Sequence, residues 1–271
     1  MYFNPIQLAI FKNLLRQKQY RLKNNSSLRG RPVVKDITSI FKSIIYKVKS
    51  GTKWEDIQRY GDTKYSPSTV YKYFKHWCNN GLFEDIYKHV LKVYSRMKRI
   101  RWKYQSIDST IIKAFRGGQV IGKNSTDRGR MGTKVHTLAD KNGIPLGFIV
   151  TEANYHDSNS VAQLLNCYKL KRPKYVQHMN LDTAYDAERI RTRLHEHQFQ
   201  HHIPKNKRNS RVSPQPMSAE EKFHYRNRIT IEHQFGHLKQ YRSIIIRYAR
   251  LKLHFENLIN IAYSRLISNK L

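Results

Sequence analysis

The chain has 271 residues, room for one large domain or for a small one plus a medium one. Lys and Arg number 51 against 19 Asp and Glu, a formal charge of +32, which opposes compaction unless a polyanion neutralises it. Nucleic acid is therefore the first partner to consider, with a membrane surface a weaker second. Hydrophobic residues make up 39%, which excludes a disordered basic tail, and the two cysteines, Cys78 and Cys167, suggest neither a disulfide framework nor a zinc knuckle. No signal peptide and no bilayer-length apolar run are evident, so an intracellular, non-membrane protein is expected. The basic residues run along the whole chain, interleaved with 18 Tyr. That mix suits phosphate contacts and base stacking, although many of the Tyr can equally fill a core.

In chain order, residues 1–30 give a short helix-like run (Ile6, Leu8, Ile10, Phe11, Leu14, Leu15) and then the polar stretch KNNSSLRGRP. Residues 1–32 are read as a basic arm that contacts a groove or phosphates, with a plain linker as the alternative. Residues 33–99 read as a small helical domain. Asp36 to Val48 carries Ile37, Ile40, Phe41, Ile44, Ile45 and Val48 at helical spacing, and Gly51 stops it. Lys53 to Tyr60 is a short second helix. Ser66 caps a third, with Pro67 in its first turn. Val70, Phe74 and Trp77 face inward there, leaving Ser68, Thr69, Lys72 and Lys75 outside. A basic, hydroxyl-rich last helix after a tight turn fits a helix-turn-helix DNA reader, though a trihelical protein-contact module would look similar. Asn80-Gly81 ends it, and Leu82 to Lys98 forms another helix.

The composition changes near residue 104, where a domain running to 271 is expected to begin. YQSIDSTIIKA reads as a strand bearing Asp108. GGQVIGKNSTDRGRMG is a basic, Gly-rich loop without the P-loop pattern. KVHTLADKNGIPLGFIV is two strands around an Asn142-Gly143 turn served by Asp140. A helix over 157–168 follows, with Asp157 as its N-cap and a role in the site as the alternative. Lys174 to Leu181 is a strand ending on Asp182. Asp186 caps the helix through His197, with a metal ligand as the alternative, and Gln200 to Ile203 is a short strand before the basic loop KNKRNSRVSPQP. The order predicts a mixed sheet flanked by helices.

Tyr225 to Lys239, YRNRITIEHQFGHLK, reads as a helix. Tyr225, Arg228, Glu232 and Lys239 fall within an arc of roughly 60°, with Gly236 leaving a gap on that arc, while Ile231, Phe235 and Leu238 form an apolar stripe. Asp108, Asp182 and Glu232 come from three separated elements of an acid-poor chain, which makes them candidates to share a site. Three packed carboxylates repel unless cations neutralise them, and oxygen ligands suit Mg²⁺ or Mn²⁺. Two such ions can drive an in-line phosphoryl displacement. Arg228 and Lys239 would then hold DNA phosphates, and Tyr225 could hydrogen-bond one. Each acid alone reads as readily as a structural residue. His233 and His237 stand four apart but lack the Glu of a zinc-protease motif. His195, His197, His201 and His202 read as scattered surface or DNA-facing residues.

The chain resembles the transposases of bacterial insertion sequences, in the group whose last catalytic helix carries Y-x2-R-x3-E-x6-K, matched at Tyr225, Arg228, Glu232 and Lys239. SIDSTIIKA, GTKVHTLADKNGIPLGFIVTEANYHDS, LDTAYDA and LKQYRSIIIRYARL also resemble that family's blocks, in order, over residues 104–265. SPSTVYKYFKHWCNNGLF is similar to its N-terminal helical region. The resemblance implies an α/β, RNase H-like mixed sheet after a small all-helical domain. It implies Asp108, Asp182 and Glu232 as catalytic metal ligands and two Mg²⁺ or Mn²⁺ ions. It further implies cleavage and strand transfer of DNA, with homo-oligomers acting on terminal inverted repeats in the cytoplasm or nucleoid. The rivals are a nuclease of the same fold that cuts without joining, a transposase-derived DNA-binding protein, and a basic structural protein with salt-dependent but metal-independent binding.

Overall fold

The computed structural model describes residues 5–20, 36–60, 63–125, 127–206 and 215–271. Of the arm expected over 1–32, residues 1–4 and 21–32 lie outside the described residues, as does most of the KNKRNSRVSPQP loop, whereas 5–20 pack into the helical unit. The chain forms two compact units, one of residues up to Val90 together with Leu238–Leu271, the other Leu91–His237.

The first unit is helical. α1 (Pro5–Leu14), α2 (Ile37–Ser50), the one-turn α3 (Ile57–Tyr60) and α4 (Pro67–Asn79) lead into α5 (Leu82–Arg96). Asp36 starts α2 by accepting the Ser39 N–H at 3.1 Å. Gly51, at φ 75°, stops it in the left-handed region that Gly enters without strain. Ser66 caps α4 and Pro67 occupies its first turn, as the sequence signals. Phe11 stacks on Phe41 with ring centroids 3.8 Å apart, and Trp77 meets both edge-on. All three are buried.

Residues 238–271 were expected to close the second domain, but they group with these N-terminal helices. α10 (Arg242–Ile245) packs on α2, and α11 (Lys252–Ser268) packs on α1, α2 and α4. The reason lies in α11, which buries residues around its whole girth, from Phe255 and Leu258 to Ala262 and Tyr263. A helix buried on all sides needs partners on several sides. Ser243 Oγ donates to the Lys47 carbonyl at 2.8 Å, and Gln7 Nε2 to Ser264 Oγ at 2.6 Å.

The second unit is built on a sheet of β1 (Tyr104–Lys113), β2 (Gly122–Lys123), β3 (Met131–Asp140), β4 (Pro145–Glu152), β5 (Gln177–Asn180) and β6 (Phe199–His202). The order is β4-β3-β1-β5-β6, with β2 beside the start of β3. β1, β3 and β4 are antiparallel, while β1, β5 and β6 run parallel, the RNase H-like arrangement that the resemblance implied. Pairing of β1 with β5 covers only Tyr104 to Ser106. β5 ends at Asn180, opposite Ser106, and Asp108 lies two residues further along β1. The Asn142-Gly143 turn forms as read, with Asp140 Oδ1 accepting the N–H groups of Asn142 and Ile144 at 2.9 and 2.8 Å.

Four local readings change. The helix over 157–168 is a 3₁₀ turn followed by α6 (Val161–Asn166), and the cap is His156, whose ring accepts the Ser158 N–H. Asp157 is thereby free to point elsewhere. Asp186 does not cap α7 (Glu188–Glu196), because Arg191 and the Asn206 N–H take its carboxylate at 2.6 and 2.7 Å. The helix read over 225–239 is α8 (Ala219–Tyr225), a 3₁₀ turn at Arg226–Arg228, and α9 (Ile229–Lys239). His202 is a buried β6 residue and not a scattered surface one. No described helix is long and apolar enough to cross a membrane.

Candidate active site

Asp108 sits mid-strand on β1, opposite Thr137 of β3. Its Oδ1 accepts the Ser109 N–H at 2.8 Å, and its Oδ2 accepts from Arg228 Nη1 at 2.8 Å. The other arm of the same guanidinium donates to Glu232 Oε1 at 2.5 Å. Arg228 thus bridges two acids more than a hundred residues apart in sequence, using the fork geometry that Lys lacks. The 3₁₀ turn gives it this reach, since it places Arg228 one turn ahead of Glu232 at the entry to α9. Ile231, Phe235 and Leu238 are buried along α9, whereas Glu232 stays exposed.

Asp182 follows the end of β5. Its Oδ1 accepts the Thr183 N–H at 2.6 Å and opens a 3₁₀ turn over Thr183–Tyr185. Asp108 feels its charge. Burial, opposed by the Ser109 N–H and Arg228 but reinforced by Asp182 and Asp157, pushes the Asp108 carboxyl up to about 6. Burial opposes the charge on Arg228, yet Tyr225 and the three acids together hold its guanidinium above the ordinary range. Tyr225, half-buried, lies with its ring 5.8 Å from Arg228 Cζ. Its phenol is raised by burial and by Asp182 and Asp108, against the pull of Arg228.

The structure therefore brings together Asp108, Asp182, Glu232, Arg228 and Tyr225. Lys239 is exposed two turns further along α9 and is counted with the first unit. Ser68, Thr69, Lys72 and Lys75 are on α4, also in the first unit. Ser68, Lys72 and Lys75 are exposed there and Thr69 is half-buried. The Ser66 hydroxyl engages those of Ser68 and Thr69 at 3.1 and 3.0 Å, so the α4 hydroxyls form a small cap cluster.

Sequence reasoning missed a layer behind the acids. Asp157 Oδ1 accepts from Ser109 Oγ at 2.8 Å and pairs with Lys134 at 3.1 Å and His136 at 3.6 Å. Burial brings His136 down to about 4, opposed by Asp157 and helped by Lys134. Tyr185 is buried beside this group, its phenol raised well above the ordinary value by burial and the nearby carboxylates of Asp157 and Asp108. The signal was present: Lys134 and His136 share one face of β3 at period two. His156-Asp157 before a helix read first as a cap, with a role for Asp157 in the site only as the alternative.

Asp108, Asp182 and Glu232 around Arg228 make an oxygen-donor set suited to hard divalent cations such as Mg²⁺ or Mn²⁺. Asp108 carries the fit. Burial first, and the charges of Asp182 and Asp157 after it, raise its carboxyl despite Ser109 and Arg228, and a divalent ion among the acids would favour the charged form.

Comparison with known proteins follows the same lines. The model of the family described as "Transposase DDE domain" matches residues 105–267, more than half of the chain. A second model, described as "Putative transposase of IS4/5 family", matches residues 7–87. The chain is similar to the "Putative transposase for insertion sequence element IS402" of Burkholderia cepacia, 37% identical over 94 residues, 31% of this chain. The match spans 43% of that relative's length, less than half of it. Among solved structures it is similar to piggyBac transposase in a cryo-EM synaptic complex with hairpin DNA. There the TM-score is 0.57 at 12% identity, covering 97% of this chain and 75% of that one, a likeness of fold alone. With a single family model spanning the sheet and its acid-bearing elements, the chain belongs to the transposase DDE domain family.

Proposed function

We propose that this chain is a transposase that cleaves DNA strands at the ends of an insertion element and joins the freed 3′ ends to target DNA. The observation that supports it most is Arg228, hydrogen-bonded to both Asp108 and Glu232 with the charge of Asp182 acting on the same group. Asp108, Asp182 and Glu232 would hold two Mg²⁺ or Mn²⁺ ions. When bound, such ions supply charge stabilisation at the attacking and leaving oxygens of an in-line displacement. Arg228 keeps Asp108 and Glu232 near each other, and its guanidinium is the group that would hold a DNA phosphate beside them. Tyr225 adds a donor beside it. Lys239 and the α4 residues Ser68, Thr69, Lys72 and Lys75 contact DNA backbone or the terminal inverted repeats. The helical unit reads the element's ends. The piggyBac relative's DNA complex and the charge of +32 favour DNA as the partner. Homo-oligomers acting on DNA in the cytoplasm or nucleoid complete the reading.

The test uses the purified chain, a labelled duplex carrying the element's own end, and Mg²⁺ or Mn²⁺, comparing wild type with Glu232→Gln. Nicking at the element boundary and joining to a second DNA are expected in wild type. The variant should bind DNA and do neither. Cutting without joining would favour the nuclease, and binding without cutting in either metal would favour a DNA-binding role.

A further inference from the structure

A second cluster of ligand-bearing side chains lies apart from the acids. His178 is on β5, His202 on β6 and His224 on α8, which packs against both strands. One ligating atom from each comes within 4.8 Å of the others. His178 Nδ1 and His202 Nε2 share a hydrogen bond at 2.9 Å, and His224 Nδ1 shares one with the Tyr104 hydroxyl at 3.0 Å. The rings of His178 and His224 stack with centroids 4.3 Å apart. His202 is buried, yet its Nδ1 has no hydrogen-bond partner.

We propose that His178, His202 and His224 form a transition-metal site suited to Zn²⁺, independent of the divalent ions at the acids. Three imidazoles leave one position of a tetrahedron open. The Glu220 carboxylate, exposed one helical turn before His224 and 3.9 Å from its Nε2, is placed to fill it, as is water. Two ligands stand on neighbouring strands and the third on a helix packed over them, so the backbone holds the three together before an ion arrives. The three rings are stacked on one another, so closing to Zn–N bonds of about 2.0–2.1 Å requires them to turn their nitrogens edge-on toward a common point. Binding breaks the hydrogen bond between His178 and His202. The proton it held moves to the outward nitrogen of the same ring, so two lone pairs face the ion with no net proton release. Burial lowers both His178 and His202, the latter to about 4, so both are neutral ligands at neutral pH. Lys103 and Lys141, each with its Nζ over the Tyr104 ring, oppose the ion's charge, and Glu220 offsets them.

The position has a purpose. His178 is four residues before Asp182, about 13 Å along an extended chain, and His224 immediately precedes Tyr225. An ion here ties α8 to β5 and β6 and so fixes the element that delivers Tyr225 and Arg228 to the acids.

The experiment titrates the metal-free full chain with Zn²⁺ by calorimetry and with Co²⁺ by visible absorption. One equivalent is expected to bind at micromolar affinity or tighter, with tetrahedral Co²⁺ bands and a thermal midpoint raised by about 5 °C at saturation. His224→Gln, at a half-buried position, should weaken binding by about 100-fold while folding normally. The double variant His233→Gln, His237→Gln and the variant Asp108→Asn should each bind as wild type does. No stoichiometric binding in wild type, or unchanged binding in His224→Gln, overturns the proposal. So does loss of binding in the His233/His237 variant, which would place the ion on the exposed pair of α9.

Discussion

The two units treat buried charge in opposite ways. In the helical unit it is cationic and closed off by backbone. Lys47 Nζ donates to the Thr52 carbonyl at 3.1 Å over the Trp54 ring, and the fully buried Arg247 donates from Nε to the Ala249 carbonyl at 2.9 Å. In the sheet unit the part-buried carboxylates of Asp157 and Asp182 and the exposed one of Glu232 gather around Asp108, and the guanidinium that joins two of the acids comes from a single turn at the start of α9. The first pattern serves packing. The second keeps a charge imbalance in reserve for something that binds, and such imbalances mark functional sites more often than structural ones.

That contrast can be broken by experiment. Its sharpest form is Glu232→Gln, which should lower strand cleavage by at least about a thousandfold, about 4 kcal/mol of transition-state stabilisation, while leaving the thermal midpoint in place. Trp77→Ala should do the reverse. It removes the centre of the Phe11–Phe41–Phe83 cluster and should destabilise the helical unit by about 3–5 kcal/mol in denaturant unfolding. Lys47→Met comes next. Burial lowers Lys47 from 10.5 to about 8, so the folded state holds fewer protons than the unfolded one between those values. Wild-type stability should therefore rise with pH from about 8 to about 10.5. The variant should be flat over that window and about 2 kcal/mol more stable at pH 7.

Asp108→Asn gives the smallest effect and the opposite slope. With its carboxyl raised to about 6, folded Asp108 holds more proton than unfolded Asp108, whose value is 3.8, so metal-free wild type should lose stability as pH climbs through that interval. At pH 7 the variant should be about 1–2 kcal/mol more stable without divalent ions and inactive with them. If Mg²⁺ does not narrow that gap, the acids are not its site.

Much of this was legible from local chemistry. Ser66-Pro67 fixed the start of α4, Asn142-Gly143 fixed the turn, and β-branched alternation gave the strand under Asp108, because each depends on a few adjacent residues. The rest depends on distant ones. Asp157 reads as a helix cap until Ser109 and Lys134 are seen to reach it from other strands. His178, His202 and His224 look scattered because parallel strands bring residues together across intervening helices. Residues 238–271 follow the catalytic motif directly, and only the all-round burial of α11 shows that they complete the other unit.

That interleaving has a consequence for synthesis. Residues 91–237 leave the ribosome as one uninterrupted block, so the sheet unit can fold while translation continues. The helical unit cannot, because Gln7 must wait for Ser264, 257 positions later. Closing so long a loop is slow, and the early helices meanwhile expose Phe11, Phe41 and Trp77. A chain stalled or truncated before residue 238 would carry a finished set of acids beside an unfinished helical unit. If that unit selects the DNA ends, order of synthesis alone makes end recognition the last property the protein acquires.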